Sequence, residues 1–256
     1  MGDYVDANGV HTYYEQHGSG DPLLLLHGGL AAAESFAQQT PVFAERYRTV
    51  IPERRGHGRT PDVEGPITYE LMADDTIAFI DALGTGPAHL VGWSDGGNVG
   101  LIVAIKRPDL VRKLVTIGSN FGADGLTPEA RAAFTPGTPN SIVPGMRALW
   151  EVSAVDPGRF DVVLEKMQRC WFDYEIPKAD LERVGAPTLV MVGDDDVATF
   201  EHTLELWEAI PDAQLAVIPG ASHLVPVEKA DIVNRLVLDF LAAEGLAPTM
   251  MPLRRG

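Results

Sequence analysis

The sequence of 256 residues predicts an α/β protein: a mostly parallel central sheet with helices on both faces, and a helical cap inserted into it. Three observations carry this. Short, mainly apolar runs such as Leu23–Leu26, Leu114–Ile117 and Pro187–Val192 alternate with helical periodicity, and such runs suit strands buried on both faces. The alternation is suspended over residues 119–185, which are rich in Pro, Gly and scattered aromatics, and then resumes. Finally, Gly92-Trp93-Ser94-Asp95-Gly96-Gly97 lies between an apolar strand and a helix, at a strand carboxyl end, where such sheets place their functional residues.

Taken in order, Tyr4–Val10 and Thr12–Gln16 read as two strands joined at Asn8-Gly9, a strong hairpin signal. Gly18 to Pro22 turns the chain into the strand Leu23–Leu26, which ends in His27-Gly28-Gly29-Leu30. A helix is expected over about Glu34–Arg46, then the strand Thr49–Ile51 and the loop Glu53–Thr60. Tyr69–Leu83 carries helical periodicity. Pro87–Val91 is the strand before Ser94, and Asn98–Arg107 the helix after it, stopped by Pro108. Beyond Leu114–Ile117, helical pieces are expected near Val143–Ala154 and Arg159–Phe172. Pro187–Val192 runs into Gly193-Asp194-Asp195-Asp196, followed by a helix near Phe200–Ile210 and the strand Gln214–Ile218. The loop Pro219 to His223 then leads to a closing helix, Glu228–Ala243. The division is therefore a core of 1–118 and 186–245, a cap of 119–185, and a tail of 246–256 in which Pro248–Gly256 reads as unstructured.

Composition narrows the function classes. A formal charge of −16 disfavours nucleic acid and anionic membrane as partners. No apolar run is long enough to span a bilayer, no signal-like segment opens the chain, and Cys170 is the single cysteine, so a soluble protein of a reducing cytoplasm is expected. Neither repeat nor low-complexity segment is visible. A monomer or homodimer acting on a small molecule fits these bounds.

The chemistry starts at Ser94. A serine on a tight strand-to-helix turn needs glycine two residues to either side, and Gly92 and Gly96 supply them. An alkyl hydroxyl is a poor nucleophile at neutral pH, so a base must lie within hydrogen-bond reach. Of seven histidines, His223 is the best candidate, in a Gly-containing loop past the last strand. His27 is ambiguous; His11, His89 and His202 read as packing or surface residues, His17 flanks the early turn, and His57 reads as structural in its Arg/Gly loop. The imidazole needs an anion to fix its tautomer. One of Asp194, Asp195 and Asp196 suits that role, and Asp196 is selected. A metal at the three acids is disfavoured, since no further ligand spacing supports one, and no cofactor is implied. The oxyanion formed on attack needs two N–H donors, assigned to Asp95 and, in the loop after Leu26, to Gly29.

Together these features resemble an α/β-hydrolase from about Tyr4 to Ala243: Leu26-His27-Gly28-Gly29 as oxyanion loop, Arg55-Gly56-His57-Gly58-Arg59 as structural loop, the Ser94 elbow, Gly193-x-x-Asp196 and Gly220-x-Ser222-His223. The family pattern places the acid third after Gly193, which favours Asp196. The wording Gly-Trp-Ser-Asp-Gly-Gly is similar to the biphenyl-hydrolase-like, valacyclovir-hydrolase-like branch, which implies esters of α-amino acids with Asp95 meeting the ammonium. The resemblance implies a cofactor-free serine hydrolase acting on a carboxylic ester or lactone, with Asp95, Leu30, Trp150 and Trp171 shaping the substrate pocket. Perhydrolysis by the same three residues, as in non-haem haloperoxidases, and a ligand sensor on a hydrolase scaffold are the alternatives.

Overall fold

The structure, a computed structural model, describes residues 2–138, 142–244 and 250. Its strands are β1 (Gly2–Ala7), β2 (Val10–His17), β3 (Asp21–Leu26), β4 (Tyr47–Pro52), β5 (Ala88–Trp93), β6 (Val111–Ile117), β7 (Thr188–Asp195) and β8 (Ala213–Ser222). They form one sheet in the order β1-β2-β4-β3-β5-β6-β7-β8, antiparallel at β1/β2 and β2/β4 and parallel from there on. The opening hairpin turns at Asn8 (φ +49°) and Gly9 (φ +74°), the pair of positive angles that an Asn-Gly type I′ turn requires.

The helices are α1 (Thr40–Phe43), α2 (Tyr69–Leu83), α3 (Asp95–Lys106), α4 (Pro128–Phe134), α5 (Ile142–Ser153), α6 (Phe160–Phe172), α7 (Lys178–Leu181), α8 (Phe200–Ala209), α9 (Val225–Glu228) and α10 (Ala230–Ala242). Two apolar clusters lie on opposite faces of the sheet, because successive strand residues point to opposite sides. Leu24, Leu26 and Leu90 face α2 and α3, whereas Leu23, Leu25 and Val91 face the layer of α1 and α10. The described residues of 119–185, between β6 and β7, add no strand to the sheet and carry α4 to α7.

Two helices differ from expectation. The stretch Glu34–Arg46 is a 3-10 turn over Ala33–Phe36 and then α1, not one continuous helix. Pro41 is the reason: it has no N–H to donate and its ring clashes with the preceding turn, so a new helix has to begin just before it. The closing helix is likewise divided at Lys229, whose backbone leaves the helical region between α9 and α10. Of the tail, only Met250 is among the described residues.

Candidate active site

β5 ends at Trp93 and α3 begins at Asp95, leaving Ser94 to make the whole reversal of direction. It does so at φ +56°, a region L-residues rarely occupy. The turn is held by Ser94 N–H donating to the Ile117 carbonyl (2.7 Å) and by Ser119 Oγ donating to the Ser94 carbonyl (3.1 Å). Side chains would not fit nearby: a Cβ on Gly96 would run into the Leu26 carbonyl, and one on Gly92 into the backbone of Gly96.

The hydroxyl so presented meets His223. Its Oγ lies 2.9 Å from His223 Nε2, and His223 Nδ1 lies 2.6 Å from Asp196 Oδ1. Trp93 Nε1 donates to the His223 carbonyl at 2.9 Å, tying the loop after β8 to the strand before Ser94. The choice among the three aspartates is geometric. Asp194 and Asp195 are exposed, and Asp194 Oδ1 accepts the Ala221 N–H, whereas the Asp196 side chain is 1% exposed and aimed at the ring. Burial alone would raise the Asp196 pKa, but the His223 hydrogen bond and charge, with N–H groups of Val197 and Gly193, outweigh it and hold the carboxyl below its usual range. Asp196 is therefore an anion wherever His223 can act as a base.

The loop His27–Leu30 runs alongside. A Cβ at Gly28 would lie 3.4 Å from Ser94 Cβ and 4.0 Å from Oγ, so the backbone of Gly28 and Gly29 passes directly by the nucleophile. Asp95 opens α3, and the N–H groups of a first turn have no intrahelical acceptor. His27 is not a second base. It is fully buried; its Nε2 accepts the Arg54 N–H (3.2 Å), which leaves the proton on Nδ1 to be donated to the Gly28 carbonyl (2.8 Å).

The Asp95 carboxylate lies against the same loop, 5% exposed, accepting from Tyr69 Oη (2.7 Å) and Trp171 Nε1 (3.0 Å). Both line a cavity of about 730 Å³ that also contains Ser94, His223, Leu30 and Phe134. Trp150 is a correction. α5 turns Met146, Leu149 and Ser153 to the cavity at i, i+3 and i+7. Trp150, about 100° further round the helix, instead packs at a tilt against Phe160 (5.4 Å between ring centroids) and borders a separate recess beside Gly56, Asp62 and Arg159. Tyr69 and Arg54 were not signalled by the sequence: a tyrosine opening a helix and one arginine in an Arg-rich loop carry no mark of their destination.

Burial of the structural loop has a pH consequence. Desolvation, then the nearby Arg54 charge, lowers His27 well below 6.5 and His57 to about 3. Both rings stay neutral in the fold but take up protons below pH 6.5 when unfolded, so stability is full above 6.5 and declines as pH falls towards 3. Glu53, raised mainly by burial to about 7, opposes this, because its folded form keeps a proton that the unfolded chain has lost. Two rings outweigh one carboxyl. Unfolding free energy is expected to fall between pH 6.5 and 4.5, with His57→Gln flattening the decline; equal denaturant midpoints at both pH values would contradict it.

A model of the alpha/beta hydrolase family matches residues 23–236, a span holding the elbow, the acid turn and the base loop. The chain belongs to the alpha/beta hydrolase family. Among its relatives, the serine hydrolase BPHL of Mus musculus is 31% identical over 93% of this chain and 85% of its own. The 2-hydroxy-6-oxo-6-(2'-aminophenyl)hexa-2,4-dienoic acid hydrolase of Metapseudomonas resinovorans is 29% identical over 93% and 90%. Among solved structures, a thermophilic esterase from Thermogutta terrifontis superposes with a TM-score of 0.75 at 25% identity, covering 93% of this chain and 96% of that one. The hydrolase is an α/β-hydrolase fold throughout, and no helix among its described residues is long and apolar enough to cross a membrane.

Proposed function

We propose that this hydrolase cleaves an uncharged carboxylic ester or lactone through an acyl-enzyme on Ser94. The observation that carries the reading is the continuous relay from Ser94 Oγ through His223 to buried Asp196, opening into a largely apolar cavity. In the first half-reaction Ser94 Oγ bonds to the acyl carbon while its proton passes to His223 Nε2, and the carbonyl π electrons move onto oxygen. The N–H groups of Gly29 and Asp95 are the donors for that oxyanion. When the tetrahedral species collapses, His223 returns the proton to the leaving alkoxide and Ser94 stays acylated. Water then adds by the same route, losing its proton to His223, and the acid leaves as Ser94 is reprotonated.

The preference for an uncharged substrate follows from the lining. No Lys or Arg is among the described residues around the cavity, so a substrate carboxylate would meet no countercharge. The Asp95 carboxylate is 5% exposed and turned to Tyr69 and Trp171, which leaves it poorly placed for the ammonium that the family resemblance implied. The 119–185 segment, acting as a cap, supplies Phe134, Leu149 and Trp171 to the apolar wall. Peroxide-dependent and sensor readings gain no specific support from the site.

The test is a fluorophosphonate probe followed by a matched ester panel. One equivalent of probe should label Ser94 with loss of activity. Against p-nitrophenyl hexanoate, esters of similar length ending in a carboxylate or bearing an α-ammonium should have kcat/KM lower by at least about 100-fold, the cost of desolvating an unpaired charge. Labelling elsewhere, or charged esters turned over as well as the neutral one, would refute the respective part of the proposal.

A further inference from the structure

We infer that Arg54 is a positioning residue for the oxyanion, clamping the loop that supplies Gly29 and neutralising the Asp95 carboxylate on the loop's other side. The inference rests on Ser94 being the nucleophile. Arg54 is 3% exposed, and its Nη2 donates to the Gly28 carbonyl (2.9 Å) and the His27 carbonyl. Its Nε and Nη1 are buried and, among the described residues, have no hydrogen-bond partner. A guanidinium desolvated with N–H groups unspent is costly for folding. Its usefulness therefore lies in the charge.

Asp95 supplies the need for that charge. Its Oδ2 sits so close to Gly29 that a Cβ there would collide with it. The oxyanion of the proposed reaction would form between the N–H groups of Gly29 and Asp95, next to this carboxylate. Tyr69 and Trp171 bond the carboxylate but are neutral donors and leave its charge in place. The acidic groups that bear on Arg54 are Asp95, Tyr69 and Cys170; burial raises the last two and keeps them protonated, which leaves the Asp95 carboxylate, across the Gly28–Gly29 loop, as the group the guanidinium balances. With Arg54 in place, negative charge develops beside a balanced pair. Without it, the charge develops beside a bare carboxylate in a water-poor site, where repulsion is poorly screened. Ground-state substrate is uncharged and feels little of this, so the effect belongs in kcat rather than KM.

The experiment is a double-mutant cycle on the intact chain with p-nitrophenyl hexanoate, reading kcat, KM and Tm for R54M, D95N and R54M/D95N, with R54K as a charge-retaining control. R54M should lower kcat about 100-fold, the scale of losing an oxyanion donor, with KM nearly unchanged and Tm lower, because the Gly28 and His27 carbonyls lose their donor. Removing the carboxylate as well should restore kcat about tenfold relative to R54M, and R54K should fall between wild type and R54M. Should R54M misfold, R54K decides the matter: kcat below wild type at unchanged KM supports the inference, and wild-type kcat overturns it. Wild-type kcat in R54M, or a double variant no faster than R54M, overturns the inference while leaving the hydrolase reading intact. A wild-type protein that neither hydrolyses the ester nor takes the fluorophosphonate on Ser94 overturns both.

Discussion

Ser94→Ala is expected to reduce kcat by about six orders of magnitude, leaving only the acceleration contributed by binding and the oxyanion donors. The reason is that the hydroxyl and the imidazole act as a unit. His223 Nε2, 2.9 Å from Oγ, has no proton to accept once the oxygen is gone, and no other nucleophile faces the acyl carbon from the elbow. His223→Ala should therefore cost about as much as Ser94→Ala, and the double variant little more than either. The substitution itself is mild: Ser94 is held by its backbone N–H and carbonyl, neither of which depends on Oγ. Steady-state rates with p-nitrophenyl hexanoate, alongside Tm, provide the measurement. A Ser94→Ala protein turning over within tenfold of wild type would end the acyl-enzyme account.

The second large effect concerns Asp196 and distinguishes two of its roles. Asp196→Ala should lower kcat by about 10⁴-fold, because the ring loses both its orienting acceptor and the anion that stabilises imidazolium. Asp196→Asn should be less harmful by about tenfold. Oδ1 accepts from His223 Nδ1 and also from the Val197 N–H at 2.7 Å, whereas Oδ2 has only the long Gly193 contact at 3.4 Å. An amide entering this site keeps its oxygen toward Val197 and His223 and turns its NH2 to the Gly193 N–H, giving up only that long contact, so the tautomer that leaves Nε2 free is preserved while the charge is lost. If the two variants prove equally slow, the amide has turned its NH2 to the ring and the reasoning is wrong.

The parallel core was legible because its strands are short continuous apolar runs, and the hairpin because Asn8-Gly9 admits few other conformations. Ser94, Asp196 and His223 could be chosen from sequence because each lies just beyond a strand end, and strand ends at one edge of a parallel sheet converge. Side-chain direction was harder. Trp150 lies in the expected helical piece, but one step along a helix separates a cavity-facing residue from one packed behind it. The stretch 34–46, expected as one helix, holds Pro41, which restricts it to a 3-10 turn and a short α1. Arg54 was illegible for a deeper reason. Its neighbours His27, Gly28 and Asp95 come from two other strand ends, and only the assembled sheet shows a guanidinium lying under them.

The order of the strands carries one more consequence. β8 lies at the border of the sheet and pairs only with β7, and the imidazole is delivered immediately after it. During synthesis the elbow can be complete when little more than the first hundred residues have left the ribosome, but the proton acceptor follows more than a hundred residues later. A nascent chain therefore carries its hydroxyl without a proton acceptor until His223 has emerged and β8 has joined the sheet beside β7.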